Sequence, residues 1–404
     1  MKRADKSPEG DTTNLLSGKV AVIVTHVRGL GPSNHLETYL NRGCQTVLAI
    51  DHPLVYERPA TSRYRLFENG KLVATGEHLL RGPEIGAFFQ EFILAVYWTR
   101  RLAHRSDLFI GVDALNCVSG IVSKLFNHKS RVIFYVIDWS PKRFDNKILN
   151  GLYHLTDRLA ALCADETWNQ SEAIDQGRWY GPFWTQVGKR AQRRVKIVPN
   201  AVASMDLDID AKDRLPYRLV FLGHLLEKQG LQLVIKALPQ IASSFDDVDL
   251  VVIGSGPYQP TLEELSTAVG VGDRVQFLGY VEDEAEVLKI LASASCGLAP
   301  YLASEQSFTK FADPGKLKNY LATGLPIVMT RVPFNAAQLE NSDCAIVVED
   351  SSGRIADGVC ILLAEDVERR RYRREKAFEF MKGLDWDSVF AKALSNTFDD
   401  EDRT

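Results

Sequence analysis

No Cys-x-x-Cys pair and no Cys/His ligand spacing occur among the six cysteines of this 404-residue chain, which lie at 44, 117, 163, 296, 344 and 360. Zinc-ribbon and thioredoxin-type chemistry is thereby excluded, and the placement of most of these thiols inside apolar runs predicts buried, reduced cysteines of a cytoplasmic protein. No apolar stretch reaches the roughly 20 residues that a membrane-spanning helix needs. The nearest, Ile85 to Trp98, is interrupted by Gln90 and Glu91. The first 18 residues are polar and charged, with no apolar h-region, so no secretory signal is expected. The formal net charge is only -4, which gives no general attraction for nucleic acid and makes any polyanion site a local feature. A GxGxxG fingerprint is also missing, which argues against a nicotinamide-dependent dehydrogenase and leaves Asp51 a weak ribose-binding candidate.

What remains is a balance of 45% hydrophobic and 25% charged residues, that of a soluble globular chain long enough for two or three domains. From Lys19 a β-branched strand, a Gly-containing turn and an amphipathic helix lead to the strand "CQTVLAI", which makes a βαβ unit. Further strands read at "DLFIGV", "RVIFYVID", "ETWNQS" and "VKIVPN", so a parallel sheet covered on both faces is predicted. Around residues 201–216 the periodicity lapses into acidic, Pro-containing sequence, and the alternation restarts at "YRLVFLG" and continues to "LPIVMT". The expected organisation is a polar tail over 1–18, a Rossmann-like domain over 19–205, a linker over 206–216, a second Rossmann-like domain over 217–383 and a helical segment over 384–404. Two doubly wound sheets in series predict a ligand cleft at their strand ends. The Arg run in "VERRRYRREK" is expected to be a solvated helix face.

Chemistry-bearing residues gather after the strands. Gly29 and Gly31 fall between the first strand and helix, where backbone N–H groups can receive a phosphate, although a tight turn explains them equally. His224 and Lys228 follow "VFLG", and Gly254 and Gly256 follow "VVI"; together a cationic loop and a glycine-rich loop suit a diphosphate. Each alone has a plain reading, Lys228 as a surface pair with Glu227 and "IGSGP" as a turn. Lys316 stands at a helix start in "FADPGKLKNYLATGLPIV", another place suited to anions. Asp138 in "VIDWSP" lies at a strand end, as a sugar-facing carboxylate or as a helix-capping or turn aspartate; His26 is a weaker candidate for the same end, read first as a core histidine. Arg100 and Arg101 close an aromatic helix, and Trp179, Arg190 and Arg193 belong to "GRWYGPFWTQVGKRAQRRVK", where basic and aromatic residues interleave as they do at an anionic bilayer or a lipid-diphosphate acceptor. "DLDID" has DxD spacing but lies in the linker.

The ordered set "VVIGSGP", "RVQFLGYVEDEAEVLKILASASCGLAPY" and "LKNYLATGLPIV" resembles the C-terminal domain of family-4 retaining glycosyltransferases of the GT-B fold. "VKIVPNAV", "FYVIDWSPKRF", "ADETWNQSEAI" and "LDWDSVF" are similar to that family's domain junction, acceptor-side strand, "AD…S" element and terminal helix, so the resemblance covers most of residues 19–395. It implies two facing Rossmann-like domains, with a C-terminal helix crossing back to the first. It also implies transfer of a glycosyl group from a nucleoside diphosphate sugar to a hydroxyl of a glycan, glycolipid or lipid-linked saccharide, in polysaccharide or glycoconjugate biosynthesis. The donor would be held by Gly29, Gly31, Gly223, Gly254, Gly256, Tyr280, Lys316 and Asn319, and catalysis assisted by Asp138, His224 and Lys228. No cofactor and no required metal are implied; Arg100, Arg101, Trp179, Arg190 and Arg193 are candidates for acceptor contact or for peripheral contact with the inner face of an anionic membrane, while buried packing explains the aromatics equally well. The chain departs from the family where a ribose-binding glutamate becomes Asn319, an earlier acidic position becomes Phe311, and the "GRLxxxKG" cations read His224 and Gln229. These departures keep two other readings open: a catalytically weakened binding protein and a nucleotide-sugar epimerase of the same fold.

Overall fold

In the computed structural model, described for residues 15–26, 31–53, 60–82, 84–180, 189–203, 214–303 and 308–398, the chain forms two α/β units. The first comprises residues 1–199 together with 386–404, and the second residues 200–385.

The first unit runs β1 (Val20–His26), α1 (Pro32–Gly43), β2 (Thr46–His52), β3 (Thr61–Glu68), β4 (Lys71–Leu79), α2 (Glu84–Leu102), β5 (Leu108–Val112), α3 (Ala114–Lys124), β6 (Arg131–Val136), α4 (Lys147–Cys163), β7 (Glu166–Asn169), α5 (Glu172–Tyr180), α6 (Lys189–Gln192) and β8 (Val195–Ile197). Its sheet order is β4-β3-β2-β1-β5-β6-β7-β8. Six strands are parallel as the βα alternation requires, and their interior residues from Ala21 to Val24 and from Leu108 to Val112 are buried on both faces. The antiparallel hairpin β3-β4 was not foreseen. Its signal was present: Asn69 and Gly70 both take positive φ, 48° and 73°, as a two-residue hairpin turn demands.

The second unit runs β9 (Arg218–Leu222), α7 (Leu231–Ala242), β10 (Asp249–Ile253), α8 (Gln259–Ala268), β11 (Val275–Gly279), α9 (Glu284–Ser293), β12 (Cys296–Ala299), α10 (Gly315–Ala322), β13 (Ile327–Thr330), α11 (Ala336–Asn341), β14 (Ala345–Val348), α12 (Ser352–Leu363) and α13 (Val367–Met381). All six strands are parallel, in the order β11-β10-β9-β12-β13-β14. Its core lies on both sides of the sheet, one layer against α7 and α12 and the other against α9 and α10. The Arg run on α13 is only partly the solvated face expected. Arg371 is exposed, but Arg373 is buried, donating to Glu365 at 2.8 Å and to the Asp343 carbonyl at 2.8 Å, because α13 must close over the end of α12.

After Gly383, whose φ of 75° ends the preceding helix, α14 (Trp386–Leu394) joins the first unit. Trp386 stacks on His35 with centroids 4.8 Å apart, Phe390 is fully buried near Tyr39, and Lys196 donates to the Ala393 carbonyl at 2.8 Å. The helix expected to cross back therefore does so.

Candidate active site

In a doubly wound sheet, loops leaving neighbouring strands in opposite directions open a crevice at their carboxyl ends. In the second unit this switch point lies between β9 and β12. Tyr320 pins it from below: its hydroxyl accepts from Leu222 N at 2.9 Å and donates to the Leu298 carbonyl at 3.1 Å.

Lys316 enters the crevice from the first turn of α10. Its ammonium donates to Gln229 Oε1 at 2.8 Å and lies 4.1 Å from the centre of the Phe221 ring and 5.0 Å from that of Tyr301. Burial pulls its pKa down to about 7, since the surroundings offer aromatic faces and an amide where water would have been. The same ammonium sits against the backbone of Gly223, where an added Cβ would lie 2.9 Å from Nζ. Lys316, Gly223 and the loop carrying His224 and Lys228 are thus brought together. His224 is exposed and Lys228 half-buried, its carbonyl accepting from Leu302 N at 3.2 Å. Asn319 lies one turn after Lys316, half-buried. Tyr280, just past β11, is 59% exposed.

Gly254 and Gly256 have a reason of their own for being glycine. A Cβ on Gly254 would lie 2.1 Å from the Gly223 carbonyl oxygen, and one on Gly256 would lie 2.4 Å from that of Leu225. The loops after β9 and β10 are stacked backbone to backbone, and Leu225 N donates to the Ser255 carbonyl at 2.9 Å.

One polar cluster of this unit was missed. Asp313, 2% exposed, accepts from Asn200 N at 3.0 Å and Asn335 Nδ2 at 3.1 Å and pairs with Lys318 at 3.3 Å. Burial raises its carboxyl pKa and Lys318 opposes the shift. The cluster fixes the entry to α10 and hence the direction in which Lys316 leaves it.

In the first unit the switch point lies between β1 and β5. His26 closes β1 and is held on both ring nitrogens, by buried Glu91 at 3.3 Å and by Asn116 at 3.3 Å. It is the satisfied histidine expected first, and it lies at the ligand end of the sheet. Asp113, which follows β5, was not anticipated. Its φ of 68° and ψ of 166° belong to a region that only glycine adopts readily, and its side chain makes no capping bond to α3. Asp138 follows β6, half-buried. It is not the cap of the next helix, because Asn146 caps α4 by accepting from Ile148 N at 2.9 Å and Leu149 N at 3.2 Å. His26, Asp113 and Asp138 therefore stand at the ends of three neighbouring strands.

Gly31 starts α1 with open space beside it, and Gly29 lies outside the described residues. Arg100 stacks over Phe126 at 3.9 Å, and Arg101 donates to the Tyr97 hydroxyl at 2.9 Å. Arg193 is exposed; the side chains of Trp179 and Arg190 lie outside the described residues. Among the described residues no group of His, Cys, Asp and Glu could hold a metal ion, and no helix is long and apolar enough to cross a membrane.

Against solved structures, this arrangement is that of a GT-B protein. Anabaena HepE in complex with UDP superposes with a TM-score of 0.67 at 15% identity, covering 94% of this chain and 100% of that one. Thermosynechococcus elongatus sucrose-phosphate synthase gives 0.68 at 15% identity, covering 94% and 98%. Residues 216–365 match the family described as glycosyl transferases group 1, in the stretch where the sequence resemblance to the C-terminal domain was read. A phosphatidyl-myo-inositol mannosyltransferase of Mycobacterium leprae is 28% identical over 46% of this chain and 47% of its own length. A GDP-mannose-dependent α-(1-6)-phosphatidylinositol monomannoside mannosyltransferase of Mycobacterium tuberculosis is 39% identical over 36% of this chain and 38% of its own. The chain thus spans about half, or less, of the curated relatives it matches.

Proposed function

We propose that the protein is a retaining glycosyltransferase that moves a sugar from a nucleoside diphosphate sugar to an acceptor hydroxyl borne by a glycolipid or lipid-linked saccharide. The observation that carries this reading is Lys316, a half-buried lysine whose ammonium lies at the switch point of the second sheet with an amide and two aromatic faces around it. A diphosphate is the kind of ligand that would complete such a site. As the bond to the sugar breaks, negative charge grows on the leaving phosphate, and a preorganised cation in a dry setting stabilises that charge more than it stabilises the ground state. Lys228 and His224 supply further positive charge from the adjoining loop, and Asn319 accepts a hydrogen bond from a ribose hydroxyl. In a front-face displacement the departing phosphate oxygen takes the acceptor proton, so no dedicated pair of carboxylates is required. Asp138 and Asp113 are assigned to sugar hydroxyls or to positive charge at the anomeric carbon.

The mannosyl and N-acetylglucosaminyl specificities named among the relatives support a hexosyl donor, and their phosphatidylinositol acceptors support a lipid-borne one. No required metal is proposed, and the enzyme is placed at the cytoplasmic face of the membrane. Calorimetry with UDP, GDP, ADP and dTDP, with and without Mg²⁺, on the wild type and Lys316→Ala tests the donor site. One nucleotide that binds and weakens in the variant is expected. Anomeric proton signals of the product would establish retention, and inversion would refute it. If no nucleotide bound, the weakened binding-protein reading would replace this one.

A further inference from the structure

Helix α4 packs His154, Asp157, Ala160 and Ala161 inward. Its opposite side carries Ile148, Leu152, Leu155, Leu159 and Leu162, which are 75, 53, 62, 45 and 41% exposed. Steps of four and three residues put all five on one stripe, about 21 Å long at ~1.5 Å per residue. Single exposed leucines are ordinary on a soluble protein, whereas an uninterrupted row is a contact surface. The row is not isolated, because α3 packs between α2 and α4 in one layer. In that layer α2 exposes Phe89, Ile93 and Tyr97, and the end of α3 exposes Leu125 and Phe126.

The charges around this face are of one sign. Lys147 adjoins Ile148, Lys129 follows the end of α3, and Arg100 and Arg101 end α2, all exposed. Among the described residues from 86 to 163 the one exposed acidic side chain is Asp145, and Lys142 pairs with it at 2.9 Å. Glu91 and Asp157 are buried. A second copy of the chain would set cations against cations with almost no carboxylate to answer them. Apolar side chains bordered by lysine and arginine match an anionic bilayer, where the leucines enter the acyl boundary and the cations meet the headgroups.

We propose that the face formed by α2, α3 and α4 docks on an anionic lipid bilayer, with α4 lying in the headgroup plane. This deepens the transferase reading and rests on it only for its purpose. Asp138 precedes Ile148 by ten residues, so a bilayer under α4 brings lipid-borne hydroxyls toward that strand end. The basic and aromatic stretch at 179–194, singled out in the sequence, is not needed for the contact.

Co-sedimentation of the full chain with phosphatidylcholine vesicles, and with vesicles containing about one-third phosphatidylglycerol, tests the proposal without nucleotide or acceptor. The wild type should partition onto the anionic vesicles on the order of tenfold more strongly, less so as salt rises. Leu152→Ser/Leu155→Ser/Leu159→Ser should lose that binding by on the order of tenfold or more. Ile361→Ser/Val367→Ser, which alters exposed apolar positions of the second unit, should keep it. Lys129→Glu/Lys147→Glu tests the charge component independently, should the serine variant prove unfolded by circular dichroism. Equal binding to both vesicle types, an unaffected serine variant, or a wild-type dimer that the serine variant makes monomeric would each overturn the proposal. A failed nucleotide titration would leave a positive vesicle result standing, and failed vesicle binding would leave the donor-site reading standing.

Discussion

Lys316 gives the sharpest pH dependence expected of this protein. Its pKa falls from 10.5 to about 7 on folding because burial disfavours the ammonium. Between those values the unfolded chain holds more protons than the folded one, so stability rises with pH through this window and is lost as pH falls toward 7. Integrated from pH 7 to pH 9, the group contributes about 2 kcal/mol of added stability. For a unit of this size that is a rise in Tm of about 4–8 °C. Ligand binding must run the other way. A diphosphate restores the charged form, so binding at pH 8 should take up close to one proton, and Kd should weaken on the order of tenfold per pH unit above 7. Calorimetry in buffers of different ionisation heat measures the uptake directly, with UDP and GDP as probes. Lys316→Met should flatten both the stability profile and the proton uptake. A nucleotide that binds wild type with no proton uptake and a Kd constant from pH 7 to pH 9 would refute the reasoning, because the ammonium would then be charged before the ligand arrived.

Asn319→Glu should tighten nucleotide binding about fivefold to tenfold, the difference between a neutral and a charge-assisted hydrogen bond; an unchanged Kd by calorimetry would place the side chain away from the ribose. Asp113→Gly should relieve about 1–3 kcal/mol of backbone strain and raise Tm while lowering turnover, and only that opposition of signs supports a role for the carboxylate. Arg178→Ala should cost about 3–5 kcal/mol in urea unfolding, because Asp157, which Arg178 holds at 2.7 and 2.8 Å, would be left buried without its charge partner.

Much of this architecture was legible because it is periodic. The strands of the second unit fall where "YRLVFLG", "VDLVVIG" and "CGLAPY" put them, since strands buried on both faces must read as apolar runs between turns. Gly383 separated the last two helices for a reason that one residue type can signal. The site was less legible because it depends on partners far apart in the chain. Lys316 was marked by its place at a helix start, but nothing nearby indicates that Gln229, in a loop 87 residues earlier, takes its hydrogen bond. Asp113 looks like an ordinary helix cap in "GVDALN", and only its dihedral angles separate it from one. Asp138 had a capping alternative that Asn146 removes. The spacing of Ile148, Leu152, Leu155, Leu159 and Leu162 is the spacing of a buried face, and a sequence pattern does not record which side of a helix the rest of the chain covers.

The return of α14 to the first unit makes the second unit an insertion in the order of synthesis. The groove that takes Trp386 and Phe390 is built from α1, which leaves the ribosome early, but its filling arrives only after residue 385. At about 5–20 residues per second, the interval from the end of α1 to Trp386 is roughly 17 to 70 seconds. The unit begun first is therefore the one completed last, and during that time the aromatic groove beside His35 and Tyr39 stays open to chaperones and to misdirected helices. A chain stopped at residue 385 would retain every element of the second unit and would still lack a finished first one.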